Sequence, residues 1–308
     1  MAYQQVAQDS ALAAKVAASG GVYFAGGDQG RITQALNLPD GTQSALLKAV
    51  WQVYQKGGVI AGSSAGAAIM SSTMFYDAQA VLPTLHNGVT DGKEIAPGLG
   101  FIGDEVFIDQ HAIIRGRFAR MLPVMLKKNY KLGLGIDENT AMWVKGRREV
   151  EIIGYKGAIL LDLSGASVDA KQSAFNLSNA KISYLDTGDK FDLVKKQLTP
   201  AADKEALDIS KPYFSTPRFF PDILGNTAVV DLLQDLIDNK QEKVLGLAFA
   251  EPRLGTTLEQ AGFEFSFSRT PESRGYFSAA LGGENYTVWN VRLDVRPILL
   301  KPSLYRYR

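Results

Sequence analysis

Short apolar runs alternate with stretches of helical periodicity through the first half of the chain. The pattern predicts strands at 22–25, 57–62, 106–111 and 132–137, and helices at 42–56, 64–75 and 118–130. Strands that alternate with helices are typical of a mostly parallel sheet covered on both faces, so we predict an α/β fold. Ligands of such sheets bind beyond the carboxyl ends of the strands. Four polar clusters stand just after predicted strands, namely GGDQ, SSAG, DQH and DEN.

The second half of the chain has a different pattern. It predicts an amphipathic helix at 229–241 and strands at 244–250, 263–268 and 286–300, whereas the first half ends with successive short strands over 142–163. The polar stretch around 195–215 is the best candidate for a boundary, and the alternative is a long surface loop. We therefore predict an α/β domain over residues 1–195 and an α+β region over 196–308. The second region is expected to pack on the first, and its role is unassigned.

Composition and charge exclude several classes of site. The 308 residues include 33 Lys and Arg against 32 Asp and Glu, so the net charge is +1. This balance indicates no nucleic-acid or membrane partner. The chain has no cysteine, which excludes a thiol nucleophile and cysteine metal sites. Only two histidines, His86 and His111, are present, so neither a metal nor another cofactor is expected.

The beginning of the chain has no apolar signal-peptide core, and no run is long enough to cross a membrane. The sequence as written therefore predicts a cytoplasmic protein. A signal peptide upstream of Met1 would make the protein periplasmic or secreted.

The stretch AGSSAGAA at 61–68 contains the pattern G-x-S-x-G, centred on Ser64. In a nucleophile elbow, this pattern makes a sharp strand-to-helix turn and holds the central serine in a strained backbone conformation. Ser64 is then the nucleophile, and Ser63 is expected to pack beside it. The alternative is a tight turn with a serine N-cap, which the motif alone makes about equally plausible.

A serine nucleophile needs a base, and His111 is the better of the two histidines. It ends a predicted strand, follows Asp109 and Gln110, and precedes several arginines, whereas His86 lies in a polar loop. A carboxylate that orients the imidazole would complete a Ser-His-acid catalytic triad. Glu138 is our candidate for it, with Asp137 and Asp109 as competitors.

Three arginines, Arg115, Arg117 and Arg120, surround the start of a predicted helix. Most charge runs are solvated faces. Cations in a first helical turn oppose the helix dipole, however, so three of them there indicate a site for anions. Carboxylates held bidentately are the simplest occupant.

Together these residues resemble the cyanophycinase family of serine peptidases, a branch of the group that includes aspartyl dipeptidase. The matching segments are VYFAGGDQGRI, GGVIAGSSAGAAIMSS, GLGFIG, DQHAIIRGRFARM and GLGIDENTA, which cover roughly residues 20–165. The resemblance implies a three-layer flavodoxin-like fold akin to class I glutamine amidotransferases. It implies Ser64, His111 and Glu138 as the catalytic triad. The substrate contacts that it implies are Gln29, Asp109, Gln110, Arg115, Arg117 and Arg120.

Members of this family hydrolyse cyanophycin, a poly-aspartate chain with arginine on each side-chain carboxyl, to β-Asp-Arg dipeptides. We therefore expect a peptide substrate and an acyl-enzyme on Ser64. Backbone N–H groups near Gly27 and Ala65 are our candidates for the oxyanion hole. Two alternatives remain: a related peptidase acting on other aspartyl or isoaspartyl peptides, and an inactive or fragmentary binding relative.

Two departures from the family pattern stand out. The family usually has GTSAG, whereas Ser63 takes the place of the threonine here. Family members also usually have further βα units before the VYFAGGDQ strand, so we expect either that N-terminal strands of the sheet are missing from this chain or that the sheet is completed differently. Assembly as a homodimer is left open.

Overall fold

The chain forms two compact units in a computed structural model, which describes residues 2–250, 259–280 and 282–301. The first unit comprises Met1–Ala78 and Thr90–Gln110, and the second comprises Gln79–Val89 and His111–Arg308. The helices of the first unit are α1 (Ala2–Ala7), α2 (Ser10–Ala17), α3 (Gln29–Leu36), α4 (Ala45–Gln55) and α5 (Ala65–Ala68). Its strands are β1 (Gly21–Phe24), β2 (Val59–Gly62), β3 (Thr73–Phe75), β4 (Ile95–Pro97) and β5 (Val106–Gln110).

Helix α4 supplies much of the core of the first unit. It begins after Ser44, whose side chain accepts a hydrogen bond from the Leu47 N–H at 3.1 Å, as expected of an N-cap. Leu47 and Val50 lie on one helical face and are buried with Ile69 and Phe101. Burying each such side chain contributes about 1.5–3 kcal/mol, which holds the helix against the strands.

Strands β1 and β2 form a parallel two-stranded sheet, as the alternating pattern predicts. Val22 and Phe24 pack on the core, whereas Tyr23 and Val59 are 65 and 67% exposed. Residues 57–62 therefore contain the predicted strand, but the strand is not fully buried. Alternate side chains of a strand point to opposite faces, and only one face of this sheet meets the core.

The helix predicted over 64–75 is much shorter in the structure. Helix α5 ends at Ala68, and Thr73–Phe75 is strand β3, antiparallel to β4. The Ile69 carbonyl accepts a hydrogen bond from the Leu99 N–H at 2.7 Å, and the Met70 carbonyl accepts one from Ile102 at 3.0 Å. These carbonyls are therefore satisfied by a neighbouring segment instead of by further turns of helix.

The second unit carries most of the strands. Its helices are α6 (Val81–Asn87), α7 (Phe118–Lys128) and α8 (Ala228–Ile237). Its first strands are β6 (Leu132–Ile136), β7 (Thr140–Lys145), β8 (Glu149–Gly154), β9 (Ala158–Asp162), β10 (Leu177–Leu185), β11 (Lys190–Asp192) and β12 (Gln197–Thr199). The remaining ones are β13 (Glu205–Ala206), β14 (Phe219–Phe220), β15 (Lys243–Phe249), β16 (Gln260–Ser268), β17 (Arg274–Ser278) and β18 (Asn285–Leu300).

These strands form a large mixed sheet in the order β14-β15-β16-β18-β10-β9-β6 and a smaller sheet in the order β12-β11-β8-β7. Every neighbouring pair from β15 to β6 in the large sheet is antiparallel. The prediction of a mostly parallel sheet is therefore wrong here. Parallel neighbours need a long crossover, usually a helix, and the fully described residues 137–199 contain none.

The C-terminal region joins the same sheet, because β18 lies between β10 and β16. A buried ion pair also connects residues on either side of the predicted boundary. Lys204 Nζ lies 3.3 Å from Asp189 Oδ1, and both side chains are almost completely buried. The boundary predicted between residues 195 and 196 falls in the turn between β11 and β12, which pair with each other. The division at this point remains a prediction.

Candidate active site

The turn from β2 to α5 has the backbone of an elbow. Ser64 stands between them with φ 49° and ψ −111°, a conformation that costs a non-glycine residue of order 1–3 kcal/mol. A Cβ on Gly62 would lie 2.2 Å from the Gly66 carbonyl oxygen, and a Cβ on Gly66 would lie 2.1 Å from the Phe24 oxygen. Both glycines of the motif are therefore required, because backbone atoms of neighbouring segments come too close to them for a side chain. These close contacts keep Ser64 in its strained conformation.

The two serines of the elbow differ in exposure. Ser63 is exposed, and its N–H donates to the Phe24 carbonyl at 3.0 Å, whereas Ser64 is partly buried. That Ser63 packs beside the nucleophile remains a prediction. Ser63 extends the contact between β2 and β1, and Ser64 occupies the strained centre of the turn.

The glycine turn after β1 lies beside Ser64. A Cβ on Gly26 would be 3.3 Å from the Cβ of Ser64, and the next residue, Gly27, has φ +138°. The Ala65 N–H stands at the start of α5, immediately after Ser64. Both candidate oxyanion donors thus belong to the segments that surround the elbow. Their role as an oxyanion hole remains a prediction.

Three of the predicted substrate contacts also belong to the first unit. Gln29 begins α3, and its Nε2 donates to the Phe75 carbonyl at 2.9 Å. Asp109 and Gln110 end β5, where both are buried, and Asp109 Oδ1 accepts a hydrogen bond from the Gln110 N–H at 2.9 Å. Hydrogen bonds to the backbone therefore orient the side-chain amide of Gln29 and the carboxylate of Asp109.

His111 and Glu138 meet in the second unit. His111 Nδ1 lies 2.8 Å from Glu138 Oε1, which is hydrogen-bonding distance. His111 has φ 52°, so the chain turns sharply directly after β5. The next residue, Ala112, donates its N–H to the Ile136 carbonyl at 3.1 Å. This bond holds the start of the loop against the end of β6, two residues before Glu138.

Asp137 supports the same loop and was considered in the sequence only as a competing acid. It is buried, and its two carboxylate oxygens lie 3.3 and 3.4 Å from the Ile114 nitrogen. Burial raises the pKa of Asp137, and the hydrogen bonds from Glu138 and Ile114 oppose that rise. The adjacent acids thus have separate contacts: Glu138 with the His111 ring and Asp137 with the backbone that follows it.

The surroundings of His111 favour the neutral imidazole. Burial lowers its pKa below the usual 6.5, and the Arg115 charge lowers it further, while the hydrogen bond with Glu138 acts in the opposite direction. Arg115 Nη2 lies 4.0 Å from Glu138 Oε1. A neutral ring that donates Nδ1–H to Glu138 carries its lone pair on Nε2, the nitrogen that can accept a proton.

The three arginines are unequally accessible. The Arg115 side chain is 54% exposed, Arg117 is partly buried at the start of α7, and Arg120 is buried at 4%. The predicted basic patch therefore presents chiefly Arg115 and part of Arg117 to solvent. Their contacts with substrate remain a prediction.

Replacing Arg115 with glutamine is expected to move the pH dependence of any reaction that uses His111 as base. The folded pKa of His111 lies below its ordinary value, so activity rises as pH rises through that lowered pKa. Removing the Arg115 charge raises the pKa and shifts the rising limb of kcat/KM to higher pH. Arg148→Gln is a matched control, since Arg148 pairs with Asp192 at 2.9 Å instead. A shift of the rising limb to lower pH, or no shift, would contradict the assignment of His111 as the base.

The candidate residues are thus divided between the units. The first unit holds Ser64, Gly27, Ala65, Gln29, Asp109 and Gln110, and the second holds His111, Glu138, Arg115, Arg117 and Arg120. His86 lies on α6 with its ring 4.8 Å from the Phe263 ring. Among the described residues, no group of three His, Asp or Glu side chains could hold a metal ion. No described helix is long and apolar enough to span a bilayer.

Comparison with known proteins confirms the predicted resemblance. The profile of peptidase family S51 matches residues 4–152. The chain is 27% identical over 207 residues to a cyanophycinase of Trichormus variabilis, covering 64% of this chain and 65% of the relative. It is 29% identical over 179 residues to a cyanophycinase of Geminocystis herdmanii, covering 55% of this chain and 61% of the relative. The aligned part thus spans less than two thirds of these relatives.

Among solved structures, a peptidase from an acI-B1 Actinobacterium is similar, with a TM-score of 0.42 and 19% identity. The match covers 62% of this chain and 66% of that one.

Proposed function

From the match of the peptidase family S51 profile to residues 4–152, we propose that the chain is a serine peptidase with Ser64 as nucleophile, His111 as base and Glu138 as orienting acid. The observation that carries the proposal is the 2.8 Å contact between His111 Nδ1 and Glu138 Oε1. A histidine held by a carboxylate in this way is the base half of a triad. The strained turn at Ser64 supplies the other half.

In the proposed reaction, Ser64 Oγ attacks the carbonyl carbon of the scissile amide while His111 Nε2 takes the hydroxyl proton. Glu138 accepts the Nδ1–H bond and stabilises the imidazolium as it forms. The Gly27 and Ala65 N–H groups stabilise the oxyanion. His111 then protonates the leaving amine, the C–N bond breaks, and an acyl-enzyme remains. Water, deprotonated by His111, attacks the ester carbonyl and releases the acid and Ser64.

The substrate that we propose is cyanophycin, cleaved to β-Asp-Arg dipeptides. Two observations support it: the relatives that the chain resembles are cyanophycinases, and cations stand beside the candidate base. Arg115 and Arg117 suit the free carboxylates of an aspartyl product, because a guanidinium binds a carboxylate through two parallel hydrogen bonds. Gln29, Asp109, Gln110 and Arg120 complete the proposed substrate-binding set.

A related peptidase acting on other aspartyl or isoaspartyl peptides is the second candidate, since identity to the cyanophycinases is below 30%. An inactive binding relative is the third. For the catalytic part we also propose the three-layer layout of class I glutamine amidotransferase-like folds. The parallel pair β1 and β2, followed by the strand-to-helix elbow, supports that layout.

A substrate panel tests the proposed function. The purified chain is incubated with cyanophycin, an α-Asp dipeptide and an isoAsp dipeptide, and released products are identified by mass spectrometry. We expect β-Asp-Arg from cyanophycin and little turnover of the simple dipeptides, because these lack most of the charged groups of cyanophycin. Preferential cleavage of the dipeptides would favour the second candidate. Turnover of none of them, together with no labelling of Ser64 by a fluorophosphonate, would favour the third.

A further inference from the structure

A groove in the second unit lies outside the site described above. It consists of two adjoining cavities of about 150 and 370 Å³ that share Lys196, Trp289 and Asn290 as lining residues. Side chains of β9, β10 and β11 complete the smaller cavity, and side chains around β17 complete the larger one. Their combined size is in the range of pockets that hold a small ligand. A groove in this region also gives a candidate role to residues 196–308.

The groove lies toward the opposite end of β6 from Glu138. Asp162, which lines it, is paired with Leu132 at the start of β6 and with Lys181 on β10. Glu138 follows β6 at its other end, six residues beyond Leu132. At 3.3 Å per residue, the two places are roughly 20 Å apart. The groove is therefore a separate site.

Charges of both signs line the groove. Two lysines pair with two acids, and a third cation, Arg274, donates to the Pro271 and Ser273 carbonyls. Lys196 Nζ lies 3.3 Å from Asp162 Oδ2, and Lys181 contacts Glu272. These side chains are between 21 and 62% exposed, and solvent-exposed ion pairs typically contribute only about 0–1 kcal/mol. A ligand that carries both carboxylates and cations can therefore replace both pairs at little cost. A ligand of only one sign would leave the lining groups of that same sign without partners.

An aromatic side chain, Trp289, lines both cavities. The Trp289 ring is partly exposed, and it packs on the buried Phe191 with ring centroids 5.6 Å apart, which fixes its orientation. Indole faces attract guanidinium groups by about 0.5–2 kcal/mol. Lys196 and Asn290, which also line both cavities, have φ values of 53° and 56°. Such backbone strain is frequent at ligand-binding positions.

We propose that this groove is a second binding site for a peptide polymer that carries both carboxylate and guanidinium groups. The proposal rests on the proposed function for the identity of that polymer, cyanophycin. Its guanidinium groups stack on Trp289 and pair with Asp162 and Glu272, and its free carboxylates pair with Lys181 and Lys196. The groove thereby holds the polymer away from the site of cleavage and raises its local concentration there.

Co-sedimentation with insoluble cyanophycin tests the groove without cleavage. The Ser64→Ala chain is the starting protein, and Trp289→Ala and the double change Lys181→Gln with Lys196→Gln are added separately. Each change is expected to raise the apparent Kd for the polymer about tenfold, which corresponds to about 1.4 kcal/mol of binding free energy. The double change guards against a folding defect in the tryptophan variant, because it alters only partly exposed side chains. Lys211→Gln, at a largely exposed lysine, is the control.

The same groove changes in the Ser64-containing chain separate this proposal from the proposed function. We expect a higher KM for the polymer, with kcat/KM for a short β-Asp-Arg oligomer unchanged. Unchanged sedimentation of both groove variants would overturn the proposal that the groove binds the polymer. No sedimentation of the Ser64→Ala chain would overturn it as well. An equal loss on the oligomer would also overturn it. Failure of the wild-type chain to cleave either substrate would instead refute the proposed function, and sedimentation would still report on the groove.

Discussion

Replacing Ser64 with alanine is expected to reduce peptide hydrolysis by about 10⁴- to 10⁶-fold, the loss typical of a removed serine nucleophile. Alanine keeps the Cβ, so the strained turn at φ 49° gains no new contact, and the glycines on either side are unchanged. The loss should appear in kcat with little change in KM, since the missing hydroxyl acts in the chemical step. The measurement is steady-state release of β-Asp-Arg from cyanophycin.

Ser63→Ala is the matched control for this change. Ser63 is adjacent, has the same hydroxyl and is exposed, so its replacement should leave hydrolysis close to wild type. A fluorophosphonate should label the wild-type chain and the Ser63→Ala chain on Ser64, as peptide mass spectrometry would show. If Ser64→Ala retained activity, the nucleophile would be misassigned. Loss of activity in Ser63→Ala alone would move the assignment to Ser63.

Glu138→Gln is expected to lower kcat by about 10²- to 10⁴-fold. Glutamine has the same size and still reaches Nδ1 of His111, but its neutral amide cannot stabilise the imidazolium that forms as Ser64 loses its proton. The Glu138 carboxylate, which accepts the Nδ1–H bond, also raises the pKa of His111, so replacing it with a neutral amide should lower that pKa. The rising limb of kcat against pH should therefore move to lower pH, while the plateau falls. A stopped assay across a pH series measures both effects.

Glu149→Gln controls for the loss of one negative charge, because Glu149 pairs with Lys145 at 3.5 Å in the hairpin of β7 and β8. It should leave both kcat and the pH profile unchanged. Asp137→Asn examines the competing acid. Asparagine can still accept the Ile114 N–H, so a positioning role predicts near-normal activity. Full activity of Glu138→Gln together with a large loss in Asp137→Asn would exchange the two assignments.

Local patterns determined much of the candidate site. Strand β6 and helix α7 were placed within a residue or two, because apolar periodicity reflects which faces are buried. The G-x-S-x-G spacing indicated a turn, and Gly62 and Gly66 are required there because an added Cβ would lie 2.2 or 2.1 Å from a backbone oxygen. The choice of His111 with Glu138, made from neighbouring residues, agrees with their 2.8 Å contact. These features depend on chemistry carried by short stretches.

Only the tertiary structure decided the rest. The antiparallel order of the large sheet depends on pairings such as β10 with β18, whose residues are more than a hundred positions apart. Helix α5 stops at Ala68 because Leu99 and Ile102 bind the next carbonyls. The buried Asp137 accepts a hydrogen bond from the Ile114 N–H, which is distant from it in sequence. In each case, contacts with residues distant in sequence outweigh the local conformational preference. The sequence alone does not show which distant residues come into contact.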